Sequence, residues 1–192
     1  CCCVLEMIDA QQWLVIYDRE QRLPLMTVDS IPATFDGAAH FMVSNAMHAI
    51  TASYLSGVSL EAIRAAMISF DSSFESTPGR LNQFDDLPFR VIMDFAHNPD
   101  GMHRFCEFID RQKVTGRKLV AFAASTNRKD ETIVGMGRSL AGHFDFYFCK
   151  EHIPRDGKKH RKVAGLLKKG LIEAGVAAGQ IAVKTAGKNV AF

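Results

Sequence analysis

The sequence predicts an α/β protein: a doubly wound, mostly parallel sheet preceded by a small β-meander and a helix pair. Three observations carry this expectation. Beyond residue 76, short apolar runs alternate with helical segments, the pattern of right-handed βαβ crossovers. Before residue 36, three apolar runs are broken by polar turns, as in hairpins. Between them, apolar residues recur at spacings of three and four. With 192 residues and 47% apolar content, the chain can build one domain or two modest ones.

Taken in order, residues 3–8, 13–17 and 23–28 predict the strands of the meander. A helix is expected over 41–54, with Phe41, Met42, Asn45, Ala49 and Ala52 forming its stripe. Asn45 then falls among apolar neighbours. A buried amide needs partners, since leaving it unpaired costs about 1–3 kcal/mol, so an inter-helix hydrogen bond and a ligand contact are both open. Gly57 ends this helix, and Ser59 is placed to cap the next. The run DSSFESTPG at 71–79 is poor in large aliphatics and reads as a linker, so a boundary is expected near Ser76 and two domains, 1–76 and 77–192. Strands are then expected over 89–96, 118–125, 144–150 and 180–185. Helices are expected over 100–112, with Pro99 opening it, and over 131–141 and 158–174.

Composition excludes some functions. The formal net charge of +2 is too small to imply a nucleic-acid or membrane partner by bulk electrostatics. No apolar run approaches the roughly 18 residues of a membrane helix, and no signal core follows the start, so a cytoplasmic location is expected. The five cysteines, three of them consecutive at Cys1, Cys2 and Cys3, fit reduced thiols better than a metal site or a closed disulfide set. No dinucleotide fingerprint follows a strand, no P-loop is present, and His97 has no nucleophile at a recognisable elbow. The chain starts without Met and stops at Phe192, which suggests a piece of a larger protein.

In a parallel sheet, ligands sit beyond the carboxyl ends of the strands. Asp94, suited to a ribose diol, and Arg128, whose planar fork suits phosphate or carboxylate, follow strands. Arg80, in a Pro-Gly-Arg turn, has the same fork. Each also has a plainer reading, Asp94 as a cap or turn former and the arginines as solvated side chains. His97 more simply shapes its loop.

Four motifs then meet a known family: IPATFDG at 31–37, FMVSNA at 41–46, TPGRLN at 77–82 and DFAHNP at 94–99. Their order and spacing resemble the carboxy-terminal half of the Mur ligases, and within that superfamily the cyanophycin synthetases most. NRKDE at 127–131 and the Lys150-Glu151 strand end extend the resemblance. It implies an ATP-dependent amide ligase that phosphorylates a carboxylate and lets an amine attack the acyl phosphate, releasing ADP and phosphate. ATP, and magnesium held mainly by a central domain, are the implied cofactors. The piece alone would lack the P-loop and be inactive. The implied substrates are an amino acid, arginine in the cyanophycin case, and an acidic polymer; a homo-oligomer stays open.

By the same resemblance Asn45 matches the residue that hydrogen-bonds adenine, Arg80 the arginine that reaches the nucleotide, and Asp94 the ribose ligand. His97 and Asn98 match the loop lining the closed site, and Arg128 a basic residue near the incoming amino acid. Three positions depart from the pattern: Met42 stands where the family often has Asn, Asn127 where Asp is common, and Phe95 where Tyr is usual. The basic stretch 155–169 reads as a solvated helix face, or, in a cyanophycin synthetase, as a face for a polyanion. A peptidoglycan- or folate-type ligase and a non-catalytic binding module are the alternatives.

Overall fold

The fold was analysed in a computed structural model, which describes residues 1–151 and 163–184. The chain divides into two compact units between Phe95 and Ala96.

The first unit opens with an antiparallel meander, β1 (Cys2–Ile8), β2 (Gln11–Asp18) and β3 (Gln21–Thr27). Two-residue turns join the strands, the first with both residues, Asp9 and Ala10, at positive φ, which matches the right-handed twist of a hairpin. Pro24 sits in β3, an edge strand, opposite Val15 where the register shifts, so its missing N–H costs no central ladder bond. Alternate residues of the meander, among them Leu14, Ile16 and Leu25, pack against α1 (His40–Leu55) and α2 (Leu60–Ser69). The buried stripe of α1 is Val43, Ala46 and Ile50, and Asn45 is exposed. The expectation of a buried Asn45 amide is thereby corrected: the stripe runs one position later than the apolar spacing suggested. Ser59 caps α2 as expected, its Oγ accepting from the Ala62 N–H at 3.2 Å.

The strand expected over 89–96 is corrected too. It is short, β5 (Val91–Met93), and pairs antiparallel with β4 (Asn82–Phe84) instead of joining the parallel ladder among the described residues. A short turn between chain neighbours closes at low entropic cost, and an Arg90 to Asp85 ion pair of 2.9 Å ties it.

The second unit has the parallel sheet. Its order is β6 (Leu119–Phe122), β7 (Phe146–Lys150), β8 (Ile181–Lys184), with Leu119 opposite Phe146 and Tyr147 opposite Ile181. α4 (Asp130–Leu140) lies between β6 and β7 in the chain, and α5 (Val163–Glu173) between β7 and β8; α3 (Pro99–Arg111) precedes β6. All three helices send residues into one core with Phe122, Tyr147, Cys149 and Ile181. On the other face lie Leu119, Phe146, Phe148 and Ala182, with the Phe146 and Phe148 ring centroids 5.0 Å apart. Cys3, Cys106 and Cys149 are buried free thiols; Cys1 and Cys2 are exposed. No helix among the described residues is long and apolar enough to cross a membrane. Most of the basic stretch, including Lys158, Lys159 and Lys162, lies outside the described residues.

Candidate nucleotide site

The most constructed feature of the first unit is the turn at 77–82. Thr77, Pro78, Gly79 and Arg80 form a type II turn: Pro78 supplies the fixed φ, Gly79 takes φ +74°, and the Arg80 N–H donates to the Thr77 carbonyl at 3.1 Å. Leu81 then also adopts positive φ, +54°, which is strained for a branched side chain. Three interactions hold it there. Leu81 is fully buried, its N–H donates to Asp94 Oδ2 at 3.0 Å, and the next residue, Asn82, is buried in a knot of backbone hydrogen bonds. The Asn82 Oδ1 accepts from the Gly79 N–H at 2.6 Å, and its Nδ2 donates to the carbonyls of Ser72, Ser73 and Thr77 at 2.8, 3.1 and 3.0 Å.

This scaffold presents Arg80 outward. Its guanidinium lies 5.6 Å from the centroid of the Phe95 ring, itself 62% exposed, a cation–π contact of about 0.5–1 kcal/mol at such a site. Arg80 and Asp94 are thus joined through one residue: Leu81 follows Arg80 in the chain and bonds Asp94. Phe95, one of the departures from the family pattern, is the surface on which Arg80 rests. Asn45 lies on a separate element, on the exposed side of α1, where its Nδ2 approaches Met42 Sδ at 3.7 Å, so the second departure sits directly against it.

In the second unit His97 is exposed in the loop before α3. Asn98 is the N-cap of α3: its Oδ1 accepts from the Gly101 N–H at 2.7 Å, with Pro99 at the first helical position. Arg128 is half-buried in the loop beyond the carboxyl end of β6, where its N–H closes a turn onto the Ser125 carbonyl at 3.3 Å. Glu151, just beyond β7, shares that sheet edge with Arg128. Its two carboxylate oxygens accept from the N–H groups of Val163 and Ala164, at 2.9 and 3.2 Å, so an anion of the chain itself fills the α5 N-terminus. Asn82 and Glu151 are the two residues that motif reading left without a role. An Asn closing a Pro-Gly-Arg turn, and an acid at a strand end ahead of a helix, are the signals that mark them.

A sequence model described as "Mur ligase, glutamate ligase domain" matches residues 79–189. The chain belongs to the Mur ligase family. Among curated proteins, the cyanophycin synthetase of Geminocystis herdmanii is 33% identical over 160 residues, 83% of this chain and 18% of that protein. The UDP-N-acetylmuramoyl-L-alanyl-D-glutamate–2,6-diaminopimelate ligase of Gloeobacter violaceus is 32% identical over 117 residues, 60% of this chain and 23% of that Mur ligase. The chain therefore spans less than a quarter of either relative's length. Mycobacterium tuberculosis folylpolyglutamate synthase complexed with ADP shares the fold, with a TM-score of 0.60 at 19% identity over 96% of this chain and 37% of the synthase. For this Mur ligase family member, these likenesses agree with the α/β class and with the meander that precedes the parallel sheet.

Proposed function

We propose that this chain is the nucleotide-closing part of an ATP-dependent amide ligase, and that the reaction is of the cyanophycin synthetase type: arginine joined to aspartate side chains of a polyaspartate backbone. The observation that carries the reading is the turn that holds Arg80 between two clamped backbone N–H groups, the second of them held by the half-buried Asp94 carboxylate. An exposed guanidinium on a backbone that the Asp94 carboxylate anchors at the following residue suits a ribose phosphate, the carboxylate accepting from hydroxyls and the guanidinium pairing with phosphate.

In this scheme a substrate carboxylate attacks the γ-phosphorus of ATP. ADP leaves with the bridging oxygen, and the resulting acyl phosphate is attacked by the amine, which loses a proton as phosphate departs. Arg80 and Asp94 grip the nucleotide, and Asn45 faces its base. By the resemblance, His97 and Asn98 belong to the loop that lines the closed site, and Arg128 is the basic residue for the incoming amino acid. Closure excludes the water that would hydrolyse the acyl phosphate. Among the described residues no group of three or more His, Cys, Asp or Glu side chains could hold a metal ion. In this scheme magnesium is held mainly by the central domain.

The test is ADP release by the full-length protein carrying this chain, given a polyaspartate–arginine primer and each amino acid in turn. Arginine-dependent turnover is expected. Turnover only with a folate or peptidoglycan precursor moves the chain to that branch, and nucleotide binding without turnover on any of them makes it a binding module.

A further inference from the structure

We infer that Asn82 is a positioning residue for nucleotide binding: it touches no ligand, and it sets the place of Arg80 through the backbone. The inference rests on the nucleotide reading of Arg80 given above. Asn82 is 0% exposed, and its single amide joins three segments, the linker at Ser72 and Ser73, the turn at Thr77 and Gly79, and the start of β4. Its Nδ2 carries two hydrogens and faces three carbonyl oxygens, so one bond is shared, and its Oδ1 takes the Gly79 N–H. No other side chain of this size offers donors and an acceptor in that arrangement. Asp would set a carboxylate against the carbonyls, and Leu would leave every one of these groups unpaired.

The consequence falls on Arg80. The residue before it is held by Asn82 and the residue after it by Asp94, so the arginine stem leaves a backbone fixed on both sides, between the positive-φ residues Gly79 and Leu81. A guanidinium presented from such a backbone binds without first having to order the loop that carries it.

The experiment is an ADP titration on the full-length protein, as a double-mutant cycle of Asn82→Ala and Arg80→Ala, with melting temperatures recorded alongside. Arg80→Ala is expected to weaken ADP binding about tenfold, as for a charged hydrogen bond. Asn82→Ala should weaken it by a similar factor alone and by almost nothing in the Arg80→Ala background. A merely structural role would lower the melting temperature and show no such coupling. Should Asn82→Ala not fold, Gly79→Ala disturbs the same turn more gently: its methyl would meet Phe95 Cβ at 3.9 Å but strain a φ of +74°. The same coupling to Arg80 is expected of it. Equal losses in both backgrounds overturn the role of Asn82 and leave Arg80 as a nucleotide ligand. No loss from Arg80→Ala overturns both.

Discussion

Gly137 of α4 and Gly170 of α5 meet backbone to backbone. A Cβ on Gly137 would strike the Leu167 carbonyl oxygen, and one on Gly170 the Val134 carbonyl oxygen, each closer than real Cβ atoms come. Neither obstacle is a flexible side chain, so relief requires the helices to part. Gly135, two positions before Gly137 on α4, leaves room for the Pro99 ring in the same way, its absent Cβ falling 3.1 Å from Pro99 Cγ. Gly137→Ala and Gly170→Ala are each expected to destabilise the unit by about 3 kcal/mol, the upper range for overpacking. Because they open one contact, the double variant should lose less than the sum. Urea denaturation measures this, and unchanged midpoints for both single variants would contradict the close crossing.

Glu151 predicts a charge-sensitive start to α5. Its carboxylate accepts two backbone N–H groups at the positive end of the helix dipole. Glu151→Gln retains one acceptor oxygen and loses the charge, and should cost about 1–2 kcal/mol. Glu151→Asp shortens the reach and should fall between. Denaturation midpoints that rank Gln above Glu would show that the carboxylate is not the cap.

At the opposite end of the sheet, Asp110 accepts from Lys118 Nζ at 3.0 Å and pairs with His143 Nδ1 at 2.6 Å. Partial burial works to raise its carboxyl, but the hydrogen bonds of Lys118 and His143 outweigh that and hold it below the ordinary range. The folded value is depressed, so the contribution to stability is complete above the unfolded value of about 3.9 and is lost as pH falls through the folded value. The stability gap between the native protein and Asp110→Asn should therefore be full near pH 5 and narrow below about pH 4. Denaturation midpoints for both proteins across that interval test it; a gap that widens on acidification sinks the assignment.

Asn98 separates capping from ligand binding. Asp caps as well as Asn, and Ala does not cap. Asn98→Asp should leave stability within a few tenths of a kcal/mol and Asn98→Ala should lose about 1 kcal/mol. ADP titration of Asn98→Ser, a neutral cap of similar strength, then reads the side chain's contact with nucleotide: unchanged affinity confines Asn98 to the helix start, and weakened affinity assigns it to the site as well.

How far the sequence reached depended on the range of the signal. Ser59 and Pro99 were legible because a cap or a first-turn proline acts within four residues of itself. The parallel strands β6, β7 and β8 were legible because apolar runs and crossover helices follow one another in a rule-bound order. The stripe of α1 was displaced, and Asn45 with it, because Phe41, Met42 and Ala49 are as apolar as Val43, Ala46 and Ile50, and only the packing partner chooses between adjacent faces. The motif residues Arg80 and Asp94 stood out by type, yet nothing in their spacing showed that Leu81 links them.

The chain's own order of residues settled its class and its family, since each is written in periodicity and motifs that can be read along the chain. Tertiary structure alone decided that β5 pairs with β4, that Asn82 ties the linker to the turn, and that Glu151 closes the start of α5. Those are choices of hydrogen-bond partner between segments far apart or indifferent in composition. A backbone N–H carries no sequence label, and which acceptor it finds is determined only when the competing ones have been placed.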